Sequence, residues 1–134
     1  MSVIKNNRNV STMEFMANAR KLQTFTIRKA ANFPKKYRFF ISVKIADLAT
    51  DIYLNVQRGN SIYPTNAREV QKRKDYFNDA KTAAFCLASQ LEIANELFSV
   101  DKNDLKEWSR MINFEIQLIK AILDSDKARY KKIK

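Results

Sequence analysis

The stretch Phe77-Asn78-Asp79-Ala80-Lys81-Thr82-Ala83-Ala84-Phe85-Cys86-Leu87-Ala88-Ser89-Gln90-Leu91-Glu92-Ile93-Ala94-Asn95-Glu96-Leu97-Phe98 decides the fold. Phe77, Ala80, Ala84, Leu87, Leu91, Ala94 and Phe98 recur at steps of 3, 4, 3, 4, 3 and 4. This spacing places them on one face of a long helix, and the alanines let a partner helix approach closely. The helix starts near Thr65 or Asn66 and ends at Phe98, before the turn Ser99-Val100-Asp101.

Working outward, the same period recurs on both sides. Downstream, Leu105, Trp108, Ile112, Ile116, Ile119 and Leu123 step by 3, 4, 4, 3 and 4, with Asp101 or Asn103 as the N-cap. That helix is expected to fray near Asp124-Ser125-Asp126. Upstream, Tyr37, Ile41, Ile45, Leu48, Ile52 and Val56 step by 4, 4, 3, 4 and 4. This helix is expected to run from Pro34 to Arg58, with Gly59 at the left-handed position just beyond it. Phe40, Val43 and Leu54 lie off its stripe, which suggests a second buried face and self-association. A broader core within one chain is the alternative. The first helix is expected from a Ser11–Glu14 capping box to about Ala31, with Phe15, Ala19, Leu22 and Phe25 inward.

No segment alternates like a half-buried strand. The expected fold class is therefore all-α, an antiparallel up-down-up-down four-helix bundle. The expected organisation is a flexible N-terminal tail at 1–11, the bundle at 12–126 and a basic C-terminal tail at 127–134.

Composition narrows the function. The chain of 134 residues contains one Gly, two Pro and no His, so the usual general base and commonest metal ligand are missing. One glycine cannot build a Gly-rich phosphate loop. Cys86 is expected to be a small buried or half-buried thiol, and a lone cysteine with no secretory leader suits the cytoplasm. Asp47 with Asp51, and Glu92 with Glu96, have i,i+4 spacing, but without histidine they read as ion-pairing residues rather than a two-metal site. The sequence therefore points to a nonenzymatic protein with no cofactor and no metal.

Charge is the strongest global signal. The net charge is +11, and residues 1–74 hold 15 Lys and Arg against 4 Asp and Glu. Residues 75–126 hold 5 against 10, and residues 127–134 hold 5 against none. Such clustering favours a polyanionic partner, RNA or DNA or an acidic protein, over a membrane. The bundle topology places Arg28, Lys29, Lys35, Lys36 and Arg38 at one end, beside Asp101, Asp104 and Glu107. Arg68, Lys72, Arg73 and Lys74 form a basic rim at the other. With Arg20 and Lys21 of the first helix, these are the candidate binding residues. The sharpest of the clusters is Asn32-Phe33-Pro34-Lys35-Lys36-Tyr37-Arg38-Phe39, where three cations crowd the positive end of a helix. An anion there could be held by side-chain charge and by free backbone N–H groups together. Its aromatics could add stacking on bases, or could simply be core, with Tyr37 inward and Phe39 against a neighbour.

That stretch resembles the helix-turn signature of a bacterial four-helix-bundle family. Trp108, Ser125-Asp126 and the helix spacing over about residues 13–130 fit the same pattern. The family includes the accessory variability determinant (Avd) proteins of diversity-generating retroelements and proteins encoded by intervening sequences in ribosomal RNA genes. The resemblance implies a homopentameric barrel with basic surfaces. It further implies binding to a reverse transcriptase and to RNA or cDNA in support of mutagenic copying, with no catalytic residue of its own. The Asn-rich start at 1–11 and the balanced charge of 75–134 depart from that pattern. A ribosomal intervening-sequence protein, a generic nucleic-acid-binding bundle and a structural protein-interaction module remain the alternatives.

Overall fold

A computed structural model describes the backbone of residues 3–133 and the side chains from Glu14 onward. Among the described residues there are four α-helices and no strand: α1 (Val3–Ala30), α2 (Val43–Asn60), α3 (Ala67–Phe98) and α4 (Lys102–Arg129). Each helix packs on the next, and α1 also packs on α4, so the four close around one core. The residues at the expected helical spacing fill that core. Phe15, Leu22, Ile45, Ile52, Val56, Phe77, Leu87, Trp108 and Ile119 are all fully buried. At roughly 1.5–3 kcal/mol for each large side chain removed from water, this burial is the main driving force for the bundle.

Three of the helix boundaries have local chemical causes. Asn66 caps α3: its side chain accepts from the Glu69 N–H at 2.9 Å, while Glu69 Oε1 accepts from the Thr65 N–H at 2.8 Å. The Thr65 hydroxyl, which donates to the same oxygen at 2.6 Å, and the Thr65 N–H hold the Glu69 carboxyl below its usual pKa. Asp101 caps α4, accepting from the Asp104 N–H at 3.0 Å. Ser99 ends α3 at φ 56°, in the left-handed region.

Several expectations are corrected. α1 begins at Val3, without a boundary at Ser11; the Ser11 side chain and its capping bond lie outside the described residues. Gly59 lies within α2, and no glycine has positive φ. Its role is close approach instead, because a Cβ there would stand 2.7 Å from Phe77 Cε1. α4 continues through Asp126 to Arg129, so the first residues of the expected tail are helical. Cys86 is exposed, because it points away from the face that buries Leu87.

The start of the second helical segment also differs. Pro34 opens a 3₁₀ turn, Lys35–Tyr37, followed by a π-helical turn, Arg38–Ser42, before α2 proper. In that wider turn the Val43 N–H reaches back five residues to the Arg38 carbonyl. Tyr37 and Ile41 still face the core, while Phe39 and Phe40 are turned out to 78% and 70% exposure. The Tyr37 and Arg38 N–H groups donate to the Pro34 and Lys35 carbonyls. They are therefore not free for the anion that the sequence suggested.

At this end an aromatic cluster joins the chain's turns. Phe33 lies 4.8 Å from Phe98 and 6.0 Å from Trp108, and Tyr37 stacks on Phe98 at 5.4 Å. Trp108 also meets Phe25 edge-on at 5.1 Å and donates its indole N–H to Thr26 Oγ1 at 2.8 Å. At the opposite end Arg73 does the joining. It donates from Nε to Asp126 Oδ2 at 2.7 Å and from Nη2 to Oδ1 at 3.3 Å. Its Nη1 donates to the carbonyls of Gly59 at 3.2 Å and Ile62 at 2.9 Å. Arg73 to Ala leaves the Asp126 carboxylate buried and unpaired, and is expected to cost about 3–5 kcal/mol in urea denaturation. Arg73 to Lys is expected to recover little, lacking the planar fork. A loss below about 1 kcal/mol for the alanine variant would refute this role.

Candidate nucleic-acid interface

The structure divides the sequence candidates into groups with different surroundings. Ala17, Arg20, Lys21, Thr24 and Arg28 fall on one flank of α1, and Glu107, Arg110 and Met111 on the facing flank of α4. Together with Phe25 they line an open groove of about 480 Å³. Its walls carry four cations, Arg20, Lys21, Arg28 and Arg110, against the single carboxylate of Glu107. Arg110 donates from Nε to Glu107 Oε2 at 3.1 Å and pairs with Oε1 as well. This bond holds the Glu107 carboxyl below its usual pKa and raises that of Arg110, so the pair stays ionised. Among the described residues Arg20, Lys21 and Arg28 make no ion pair. Rungs four residues apart on α1 rise about 6 Å, so Arg20 and Arg28 form a row of charge along the groove, with the Thr24 hydroxyl between them donating to the Arg20 carbonyl at 3.0 Å.

Lys29 does not join that row. It is half-buried, bridges to Asp104 at 3.2 Å and lies 5.6 Å over the Phe25 ring. The expected pairing between the helix 1–2 turn and the acids of the α4 start is thus real for Lys29. Lys35, Lys36 and Arg38 are exposed and, among the described residues, make no ion pair. Arg68, Lys72 and Lys74 are likewise exposed at the start of α3. They stand about 36–45 Å along α3 from the Phe98 end, at 1.5 Å per residue. No small ligand touches both ends at once.

Arg73 is removed from the candidates. It is only 7% exposed, and its charge is spent on Asp126 and two carbonyls, with its guanidinium 4.9 Å over the Phe77 ring. Sequence reasoning grouped it with its basic neighbours. Its distinguishing feature was register: Arg73 lies four residues before Phe77, on the core stripe of α3. Sequence reasoning also missed Arg110, hidden in an acidic segment. The i, i+3, i+4 spacing of Glu107, Arg110 and Met111 was the available signal.

A second missed residue is Glu115, which occupies the core stripe of α4 between Ile112 and Ile116 and is fully buried. Asn18 Nδ2 donates to its Oε1 at 3.0 Å and to the Met111 carbonyl at 3.0 Å, while Oε2 has no partner. Burial pushes its pKa up from 4.5 to about 8, partly offset by the Asn18 bond. It does not line the groove. Among the described residues no three His, Cys, Asp or Glu side chains gather, and the carboxylates of Asp47, Asp51, Glu92 and Glu96 are exposed. No helix among them is long and apolar enough to cross a membrane. The sequence matches no family model, and no curated protein matches it.

Glu115 generates a pH prediction. The folded protein keeps a proton that the unfolded chain releases above about pH 4.5, so stability falls as pH rises from there and levels off above about 8. Glu115 to Gln keeps the oxygen that Asn18 needs and removes the ionisable group. It is expected to flatten this slope and to stabilise the protein above neutral pH, by on the order of a few kcal/mol. Denaturation curves across the range, compared with the wild type, check it; parallel pH profiles would refute it.

Proposed function

We propose that this chain is a nonenzymatic accessory protein of a diversity-generating retroelement, one that binds the reverse transcriptase and its template RNA or cDNA. The observation that carries the nucleic-acid part is the α1–α4 groove, where Arg20, Lys21 and Arg28 converge without carboxylate partners of their own. The supporting context is the net charge of +11 and the spread of the other free cations to both ends of the bundle. Binding sites that far apart suit a polymer, which can track from one cluster to the next. The resemblance carried by Asn32–Phe39, Trp108 and Ser125-Asp126 supplies the retroelement setting and the reverse transcriptase partner, and the lone cysteine suits a cytoplasmic location.

In this reading the bundle is antiparallel. The pairing of α1 with α4 supports it, since Asn18, Thr26 and Lys29 of α1 meet Met111, Trp108 and Asp104 of α4 in reverse order. It assembles as a homopentameric barrel. Support for assembly comes from α3, where Phe85, Ile93 and Leu97 are 51%, 42% and 44% exposed on the side away from the core. Light scattering is expected to give close to five times 15.7 kDa, and a monomer at micromolar concentration would remove the barrel.

Groove residues are expected to act through phosphate alone. Replacing Arg20, Lys21 and Arg28 together by Gln should weaken RNA binding across sequences. It should also reduce the slope of log affinity against log salt by about 2–3, roughly one for each phosphate that is no longer neutralised. Fluorescence anisotropy over a salt series measures both. An unchanged slope would exclude the groove from the interface, and the Arg68, Lys72 and Lys74 variant serves as the comparison.

A further inference from the structure

The corner after α1 has features that phosphate binding does not use. Phe39 and Phe40 are the two aromatics that the π-helical turn sends outward, at 78% and 70% exposure. The fold has aromatic sites close by and fills them with others: Phe33 and Tyr37 pack on Phe98, and Phe33 also on Trp108. A π turn inserts one residue beyond the α-helical repeat, and such turns occur frequently at functional sites. Here Tyr37 and Ile41 both face the core while the three residues between them face water. The exposed rings are set among Lys35, Lys36 and Arg38, and no acidic residue occurs from Ala31 to Ala46. Lys36 Nζ lies 5.2 Å over the Tyr37 ring, so its charge stands at the aromatic surface.

We propose that Phe39 and Phe40, flanked by Lys35, Lys36 and Arg38, form a stacking platform for the unpaired bases of a single-stranded polynucleotide. This rests on the nucleic-acid reading above and adds to it a preference for unpaired strands. The rings offer flat apolar faces that every base can cover, and the cations hold the phosphates on either side. In a duplex the base faces are already stacked on each other, leaving nothing for Phe39 and Phe40 to cover. Charge complementarity points to a polyanion as the occupant, because the corner holds Lys35, Lys36 and Arg38 and has no carboxylate from Ala31 to Ala46 to neutralise them.

The test uses the full chain with a labelled single-stranded oligonucleotide, a duplex of the same length and an aminopurine-substituted single strand. The double variant Phe39→Ala with Phe40→Ala is expected to bind the single strand roughly tenfold more weakly. Its salt slope, duplex affinity, helical content and thermal midpoint should match the wild type, because both side chains are exposed. Aminopurine fluorescence should change on binding to the wild type and not to this variant. The Phe39→Trp, Phe40→Trp protein should keep the single-strand affinity. Unchanged single-strand binding by the alanine variant, equal loss on the duplex, or no aminopurine response with the wild type would overturn the platform while leaving nucleic-acid binding intact. A lower mass of the alanine variant in light scattering would make the corner a subunit contact and overturn it as well. Wild-type protein that retains neither strand nor duplex at low salt removes the broader reading, and the platform with it.

Discussion

The buried pair of Arg73 and Asp126 holds together elements that are otherwise separate. Arg73 belongs to α3, Asp126 to the last turns of α4, and the carbonyls it also reaches to the end of α2 and the loop beyond it. A charge buried this far is tolerated only when its hydrogen-bonding capacity is met. Here both carboxylate oxygens and two carbonyls accept from the guanidinium, with the Phe77 and Tyr130 rings 4.9 Å and 5.9 Å from it. Gly59 makes the arrangement possible, because any side chain there would collide with Phe77. α4 continues past Asp126 to Arg129, and the Tyr130 N–H donates to the Asp126 carbonyl at 2.9 Å.

The opposite end is joined by rings rather than charge. Phe25, Phe33, Tyr37, Phe98 and Trp108 bring together the turn after α1, the end of α3 and the start of α4. Between the two ends Glu115 sits in the core with one oxygen satisfied by Asn18 and the other unpartnered. A hydrophobic residue there would stabilise the bundle, so the acid is a local cost carried by the surrounding burial. Asn18 and Glu115 also bond α1 to α4, the two helices whose outer flanks line the basic groove.

With the ends closed, the remaining cations divide by what neutralises them. Arg73 and Lys29 are internally paired, and Arg110 is paired within the groove. Arg20, Lys21 and Arg28 along α1, the Lys35–Arg38 corner and Arg68, Lys72 and Lys74 at the start of α3 make no ion pair among the described residues. Two chemically different surfaces result. One is a groove of charge over an apolar floor, suited to phosphate; the other is a corner of charge and exposed rings, suited to phosphate and base together.

Periodicity made much of the fold legible. The stripes Phe77 to Phe98, Leu105 to Leu123 and Tyr37 to Val56 are the buried faces of three helices, because side chains three and four apart must share a face whatever the helix packs against. The caps Asn66 and Asp101 were legible for the same local reason. Function was legible only as charge and as a resemblance. Which cations are free depends on partners brought together from distant parts of the chain: Asp126 is 53 residues from Arg73, and Met111 is 93 residues from Asn18. Charge does not distinguish Arg73 from Lys72 or Lys74; register places Arg73 on the core stripe, and packing α3 against α4 gives it Asp126 as a partner. In the same way, Phe40 read from sequence as part of a second buried face and Phe39 as a stacking ring or a residue packed against a neighbour, and both are exposed. Their outward setting follows from tertiary packing, with Tyr37 stacked on Phe98 and Ile41 buried in the core on either side of them.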